Sequence, residues 1–286
     1  MTARILEVSD ADYYADRLPG VPGPTLSASI AGKLVTESPL VAHHHHPRLG
    51  GYRWEGNAAT ETGNIMHALL LENASGIVVI DHDDYRSKQA REDRDAATAQ
   101  GLRPVIRAKL APLMSAAEAI RHRLRDTFGI VLDGRSEVAI TWRELTDAGP
   151  VDCRGKLDHL RGPTIYDLKT TSGSVAIEPV SRRICESAYD VQAAAYTSAV
   201  EQLDPSLRGR VSFVFIFAQL EPPYVVTPVQ LSGLFLELGY RRWRRACETW
   251  ARCLKTNRWP GPVERVETVE APTWALAKEE YRDETV

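Results

Sequence analysis

Cysteine is scarce, with four in 286 residues. That is too few to staple a fold this long, and the four are expected to be reduced thiols in a cytoplasmic protein. No apolar run is long enough to cross a bilayer as a helix; the strongest, VSFVFIFA at 211–218, falls far short. The opening MTARILEVSDADYYADR is acidic and has no signal-peptide core, so neither secretion nor a membrane partner is expected. Neither sign of charge dominates: 35 Lys+Arg oppose 38 Asp+Glu, a formal charge of −3. Net charge therefore neither demands nor excludes nucleic acid, and local patches decide. Repeats are absent, and low complexity is confined to one histidine run. What remains is ordinary globular material, 43% hydrophobic and 26% charged, with ample length for a sizeable core.

Residues 1–60 read as a weakly periodic lead-in with short helices, one of them capped by Ser27. A helix over 60–72, a strand over 76–81 and helices near 84–100 and 112–127 follow, the last stopped by Gly129. The texture then changes. Three strands are predicted at 135–145, 151–160 and 164–168, then a helix at 188–203, strands at 211–219 and 224–229, and a helix at 232–255. The pattern predicts an α/β or α+β fold, a central mixed sheet flanked by helices. It is expected to form one domain over 1–263, mainly helical to 130 and catalytic from 131. Residues 264–286, with seven carboxylates against three basic side chains, read as an acidic tail.

The informative segment is IYDLKTT. Asp167 and Lys169 lie two apart on a predicted strand and so share a face. Asp158 closes the preceding strand, and the Gly162-Pro163 turn folds the two together. Two carboxylates and an ammonium in one small volume suit a hard divalent cation, and a neighbouring lysine can orient water or neutralise charge on phosphorus. Taken alone, D-x-K also fits a surface hairpin with an Asp167–Lys169 salt bridge. The apolar neighbours Ile165 and Leu168 make charge costly there and weigh against that alternative.

Together, Asp158, the turn, Asp167-Leu168-Lys169 and Thr170-Thr171 resemble the PD-(D/E)xK restriction-endonuclease-like nuclease core, and most closely the RecE-like (exodeoxyribonuclease VIII type) exonucleases of phage recombination. The resemblance extends to GNIMHALLLE at 63–72, which places a histidine at His67, and to SEVAITW at 136–142, which places an upstream acid at Glu137. It also takes in YDVQAAAY at 189–196, giving Gln192 and Tyr196. LSASIAGKLVTESP at 26–39 and NRWPG at 257–261 match in kind. It implies a Mg²⁺- or Mn²⁺-dependent exonuclease acting on double-stranded DNA ends to leave single-stranded overhangs for recombination. Asp158 and Asp167 would hold the metal, with the Leu168 carbonyl as a further ligand; Lys169 would position the water, and His67 would ligate the metal or order its water shell. Gln192 and Tyr196, at i and i+4, would steady site and DNA. Glu137 is either an acid supporting the metal or an outward strand residue, and His67 alone would read as a core histidine. A ring-shaped homo-oligomer and a single-strand annealing protein as partner are further implications.

His43 to His46 form an internal run expected at a helix end or on the surface. Cys153, Cys185, Cys247 and Cys253 lack the spacing of a cluster-binding set, and no iron–sulfur cluster is expected. Basic side chains concentrate between Arg103 and Arg125 and around Trp243. Arg182 and Arg183, between the lysine and the Gln192 helix, are the best placed for a DNA backbone, with Thr170 and Thr171 beside them. Competing readings are an endonuclease of the same superfamily, a catalytically silent DNA-end-binding protein and, more remotely, a histidine-rich metal-storage protein or scaffold.

Overall fold

The structure, a computed structural model, describes residues 2–51, 58–72 and 74–277. Residues 278–286 of the acidic tail lie outside the described residues, as does part of the segment after the histidine run. The chain runs β1 (Arg4–Ile5), α1 (Asp10–Tyr14), β2 (Leu26–Ser27), α2 (Ala28–Thr36), α3 (Pro39–His45), α4 (Ala58–Leu71), β3 (Ile77–Ile80), α5 (Lys88–Ala99), β4 (Arg103–Ile106) and α6 (Arg107–Phe128). It continues with β5 (Arg135–Thr146), β6 (Gly149–Arg161), β7 (Thr164–Thr170), α7 (Ile177–Glu186), α8 (Tyr189–Leu203), β8 (Ser212–Ala218), β9 (Val226–Gln230) and α9 (Gly233–Thr256).

Among the described residues the main sheet has seven strands in the order β1-β5-β6-β7-β8-β9, with β2 pairing β6 out of line. Pairing is antiparallel except for β7 with β8 and β2 with β6, so the sheet is mixed and mostly antiparallel. β3 and β4 form a separate parallel pair.

β8 explains the layering. Its side chains alternate, as a strand buried on both faces requires. Phe213, Phe215 and Phe217 join Trp142, Trp243 and Trp250 in a core shared with α2, α8 and α9. Val214, Ile216 and Ala218 point the other way, into a second core with Met66 of α4 and Ile120 of α6. Helices thus cover both faces of the sheet, as the sequence pattern predicts.

Local signals set the helix ends. Ser27 accepts the Ile30 amide to cap α2, Ser38 does the same for Val41 ahead of Pro39, and Gly129 ends α6 in a left-handed turn. The histidine run sits at the end of α3. There His46 is buried, its Nε2 3.0 Å from the Thr25 carbonyl and 3.4 Å from Asp16. Arg154 of β6 joins this buried group, 2.7 Å from both Asp16 and the Thr25 hydroxyl, and so ties the lead-in to the sheet. No helix among the described residues is long and apolar enough to cross a membrane.

Candidate active site

The site forms where the ladders of β5, β6 and β7 are interrupted. β6 and β7 pair from His159–Tyr166 to Arg161–Thr164 and then part. Beyond that point the Leu168 amide donates to the Asp158 carboxylate at 2.9 Å instead of to a backbone carbonyl. The side chain of Asp158 thus fills the gap its own strand leaves, and β6 continues past it to Arg161 where the sequence suggested an end.

A second irregularity lies one strand over. Glu137 has a φ of 53°, the left-handed region that a β-strand residue other than glycine seldom visits. It and Asp158 stand between the register pairs Ser136–His159 and Val138–Leu157. Val138 and Leu157 face the core shared with α8 and α9. Ser136 and His159, two residues away, reach α4 and Tyr166 on the opposite face. The strand pair changes faces at Glu137 and Asp158, which frees both carboxylates from the regular pleat.

Into this break α4 delivers His67. Its Nδ1 lies 3.7 Å from Glu137, and its Nε2 lies 3.6 Å from Asp158 and 3.2 Å from the Leu168 carbonyl. Ligand atoms of His67, Glu137 and Asp158 all fall within 4.8 Å of one another, a spacing that can hold a metal ion. Asp167 stands outside that trio. It is buried at 1% exposure, with one oxygen 2.6 Å from the Lys169 ammonium and the other accepting from the Gln192 amide at 2.6 Å. Lys169 in turn donates to the Gln192 carbonyl at 3.1 Å, which fixes which way round the amide sits. The ring of Tyr189, 4.5 Å from the ammonium, covers Lys169 from another side.

The electrostatics follow from crowding three carboxylates together. Burial pushes the Asp158 carboxyl up, Asp167 adds to it, and the group reaches about 6. Burial would also raise Glu137, but His67 and Lys156 prevail and hold it down at about 2. For His67 burial works against the charged form, yet Asp158, Glu137 and Asp167 together lift the imidazole to about 9. Burial likewise disfavours the Lys169 ammonium, and Asp167 and Asp158 overcome it, so the net shift is upward. A field that protonates a part-buried histidine favours a cation. The donors are carboxylate oxygens, one carbonyl oxygen and one imidazole nitrogen, a set that fits a divalent ion of the Mg²⁺ or Mn²⁺ kind.

The remaining predicted residues are more dispersed. Tyr196 shares a helix face with Gln192 and borders the same cavity, with its ring packed on the backbone of Gly155, where an added Cβ would come within 2.7 Å of it. Thr170 lies against Gly63 of α4, and Thr171 accepts the Gly173 amide; together they line a groove with Ser172 and Gln219. Arg183 lies across Gly173, with one buried guanidinium nitrogen lacking a hydrogen-bond partner among the described residues, while the exposed Arg182 pairs with Glu178. The basic stretch over β4 and α6 is largely committed elsewhere: Arg103 pairs with Glu72, Arg107 with Asp81 and Arg125 with Asp126, and Arg121 donates to the Leu69 carbonyl. Lys156, which sequence reasoning missed, bridges Glu137 at 2.5 Å and Asp10 at 2.8 Å. Its position two residues before Asp158 on the same strand was the available signal. A cavity of about 590 Å³ opens beside Asp158, Lys169 and Gln192, and Tyr14, Ser29 and Lys33 also line it.

A family model described as a PDDEXK-like domain of unknown function (DUF3799) matches residues 36–272. The crystal structure of a candidate exonuclease from Eubacterium rectale superposes with a TM-score of 0.60 at 15% identity, covering 95% of this chain and 98% of that one. This shared fold spans nearly the whole of both chains. A second structure, SSO0001, reaches a TM-score of 0.25 at 9% identity over 66% of this chain and 87% of that one, and carries no argument. No curated protein matches the chain.

Proposed function

The chain belongs to the PDDEXK-like family, within the PD-(D/E)xK nuclease superfamily, and from that premise we propose that it is a metal-dependent exonuclease of the RecE-like branch. Its substrate is the end of linear double-stranded DNA, and its product carries a single-stranded overhang for recombination. The observation that carries this reading is the arrangement of Asp167, Lys169 and Gln192 in one closed hydrogen-bonded group. That group lies beside the His67–Glu137–Asp158 trio, and its Lys169 and Gln192 border the same cavity as Asp158. The candidate exonuclease from Eubacterium rectale, which shares the fold, supports the choice of reaction.

His67, Glu137, Asp158 and the Leu168 carbonyl would hold a divalent cation, and Asp167, whose oxygens face Lys169 and Gln192, would join them by releasing one of those bonds. When bound, such an ion supplies Lewis acidity at the scissile phosphate and at the attacking and leaving oxygens. Lys169 remains an ammonium, so it orients the attacking water by donating to it and balances the negative charge that builds on phosphorus. Gln192 and Tyr189 keep that ammonium from swinging away. Arg182, Arg183, Thr170 and Thr171 contact the DNA backbone, which needs no base readout.

The deciding experiment uses end-labelled linear duplex and a covalently closed circle, each with Mg²⁺ and with EDTA. Loss of the linear form from its ends, an intact circle and no digestion in EDTA are expected. Cleavage of the circle would move the protein to the endonucleases, and end binding without cleavage in Mg²⁺ or Mn²⁺ would make it a silent binder. The same reading carries a ring-shaped homo-oligomer, to be sized by light scattering, and a single-strand annealing partner.

A further inference from the structure

Beside the cation trio runs a chain of three hydrogen bonds with a single consistent direction. The Gly134 amide donates to His159 Nε2 at 2.9 Å. Because an amide can only donate, Nε2 carries the lone pair, and the neutral ring bears its proton on Nδ1. Nδ1 lies 2.9 Å from the Ser136 hydroxyl and donates to it, and that hydroxyl donates to the Leu71 carbonyl at 2.6 Å. His159 is 1% exposed, so water does not compete for these bonds. Gly134 has no room for a side chain, since a Cβ there would stand 2.2 Å from the Leu160 carbonyl oxygen.

The placement of this chain gives it a purpose. Leu71 is the last residue of α4, and its carbonyl is among those a helix end leaves without an intrahelical partner. His67 lies one turn earlier on the same helix. Ser136 and His159 directly precede and follow Glu137 and Asp158 on their strands, and they are paired in register. The relay therefore pins the helix bearing the imidazole to the strand pair bearing the two carboxylates, at the place where those strands change faces.

We propose that Ser136 and His159 are positioning residues that set the distance between His67 and the carboxylates of Glu137 and Asp158, and thereby the affinity of the site for a divalent cation. The inference rests on the cation-site reading above. Partners that orient metal ligands from behind typically change affinity about 10- to 100-fold when removed.

The test is calorimetric titration of Mn²⁺ into the wild-type chain and into Ser136→Ala, His159→Leu, His159→Gln and His67→Ala. Ser136→Ala and His159→Leu should weaken Mn²⁺ binding by about tenfold or more. His159→Gln, whose carboxamide can both accept from Gly134 and donate to Ser136, should recover part of the loss. Ile120→Val, a core change on α6, should lower the melting temperature and leave Mn²⁺ affinity unchanged, which separates positioning from general loosening. Wild-type affinity in Ser136→Ala, with loss in His67→Ala, overturns the relay and leaves the cation site standing. Absence of Mn²⁺ binding by the wild-type chain overturns both.

Discussion

Glu137 and Asp158 stand side by side across two antiparallel strands at the point where both strands turn their side chains to the opposite face. Neither carboxylate is part of a regular sheet surface, and both are turned toward the His67 imidazole. The geometry that brings these groups together is a property of the strand pair, and it yields specific expectations.

Lys169→Ala should lower the rate of duplex degradation by about a hundredfold or more, the scale seen when one preorganised donor to a developing charge is lost. Binding of linear duplex, read by gel shift in EDTA, should be largely retained. Asp167→Ala should behave alike. Full activity in either variant would refute the assignment.

Gln192→Ala should reduce stability as well as rate. Asp167 is buried and would lose one of its hydrogen bonds, at a cost of about 1–3 kcal/mol. Chemical denaturation measures this directly. An unchanged midpoint would mean that Lys169 alone satisfies the carboxylate.

Adding Mn²⁺ at a hundred times its Kd should stabilise the folded chain by about 2.7 kcal/mol, visible as a rise in melting temperature. Asp158→Ala should lose that rise. If the rise persists in Asp158→Ala, the ion sits elsewhere.

The fourth expectation concerns acid. His46 is buried, and burial, outweighing the pull of Asp16, lowers its pKa from 6.5 to about 4. Between those values the unfolded chain carries a proton that the folded chain does not. Stability therefore rises with pH across that window and is indifferent to this group above it. Melting temperatures should fall as pH drops from 6.5 toward 4, and less so in His46→Gln. Equal slopes in the two proteins would clear His46 of responsibility.

Much of this arrangement is legible in the sequence. The three central strands, the helix carrying His67, and the approach of Asp167 to Lys169 on one strand face follow from alternation, turn residues and spacing. Other parts are not. Nothing about Glu137 announces a left-handed backbone, because that conformation is imposed by the strands around it. β4 contains Pro104 beside one basic and two apolar residues, and becomes a strand only by pairing with β3. The predicted elements do not include α7, although Val180 and Ile184, four apart and both buried, carry a helical period. The positive charges near α6 looked available in sequence, and most are held by nearby carboxylates or a carbonyl.

His67 approaches from the layer built on Met66 and Ile120, whereas Gln192 and Lys169 approach from the layer of Trp142 and Phe215. The break between β6 and β7, bridged by the Asp158 carboxylate, thus lies where groups from two oily compartments meet that a wall of strands otherwise keeps apart. An ion there would act as a rivet, so the loaded protein should melt as one body, while the stripped one can loosen a compartment at a time.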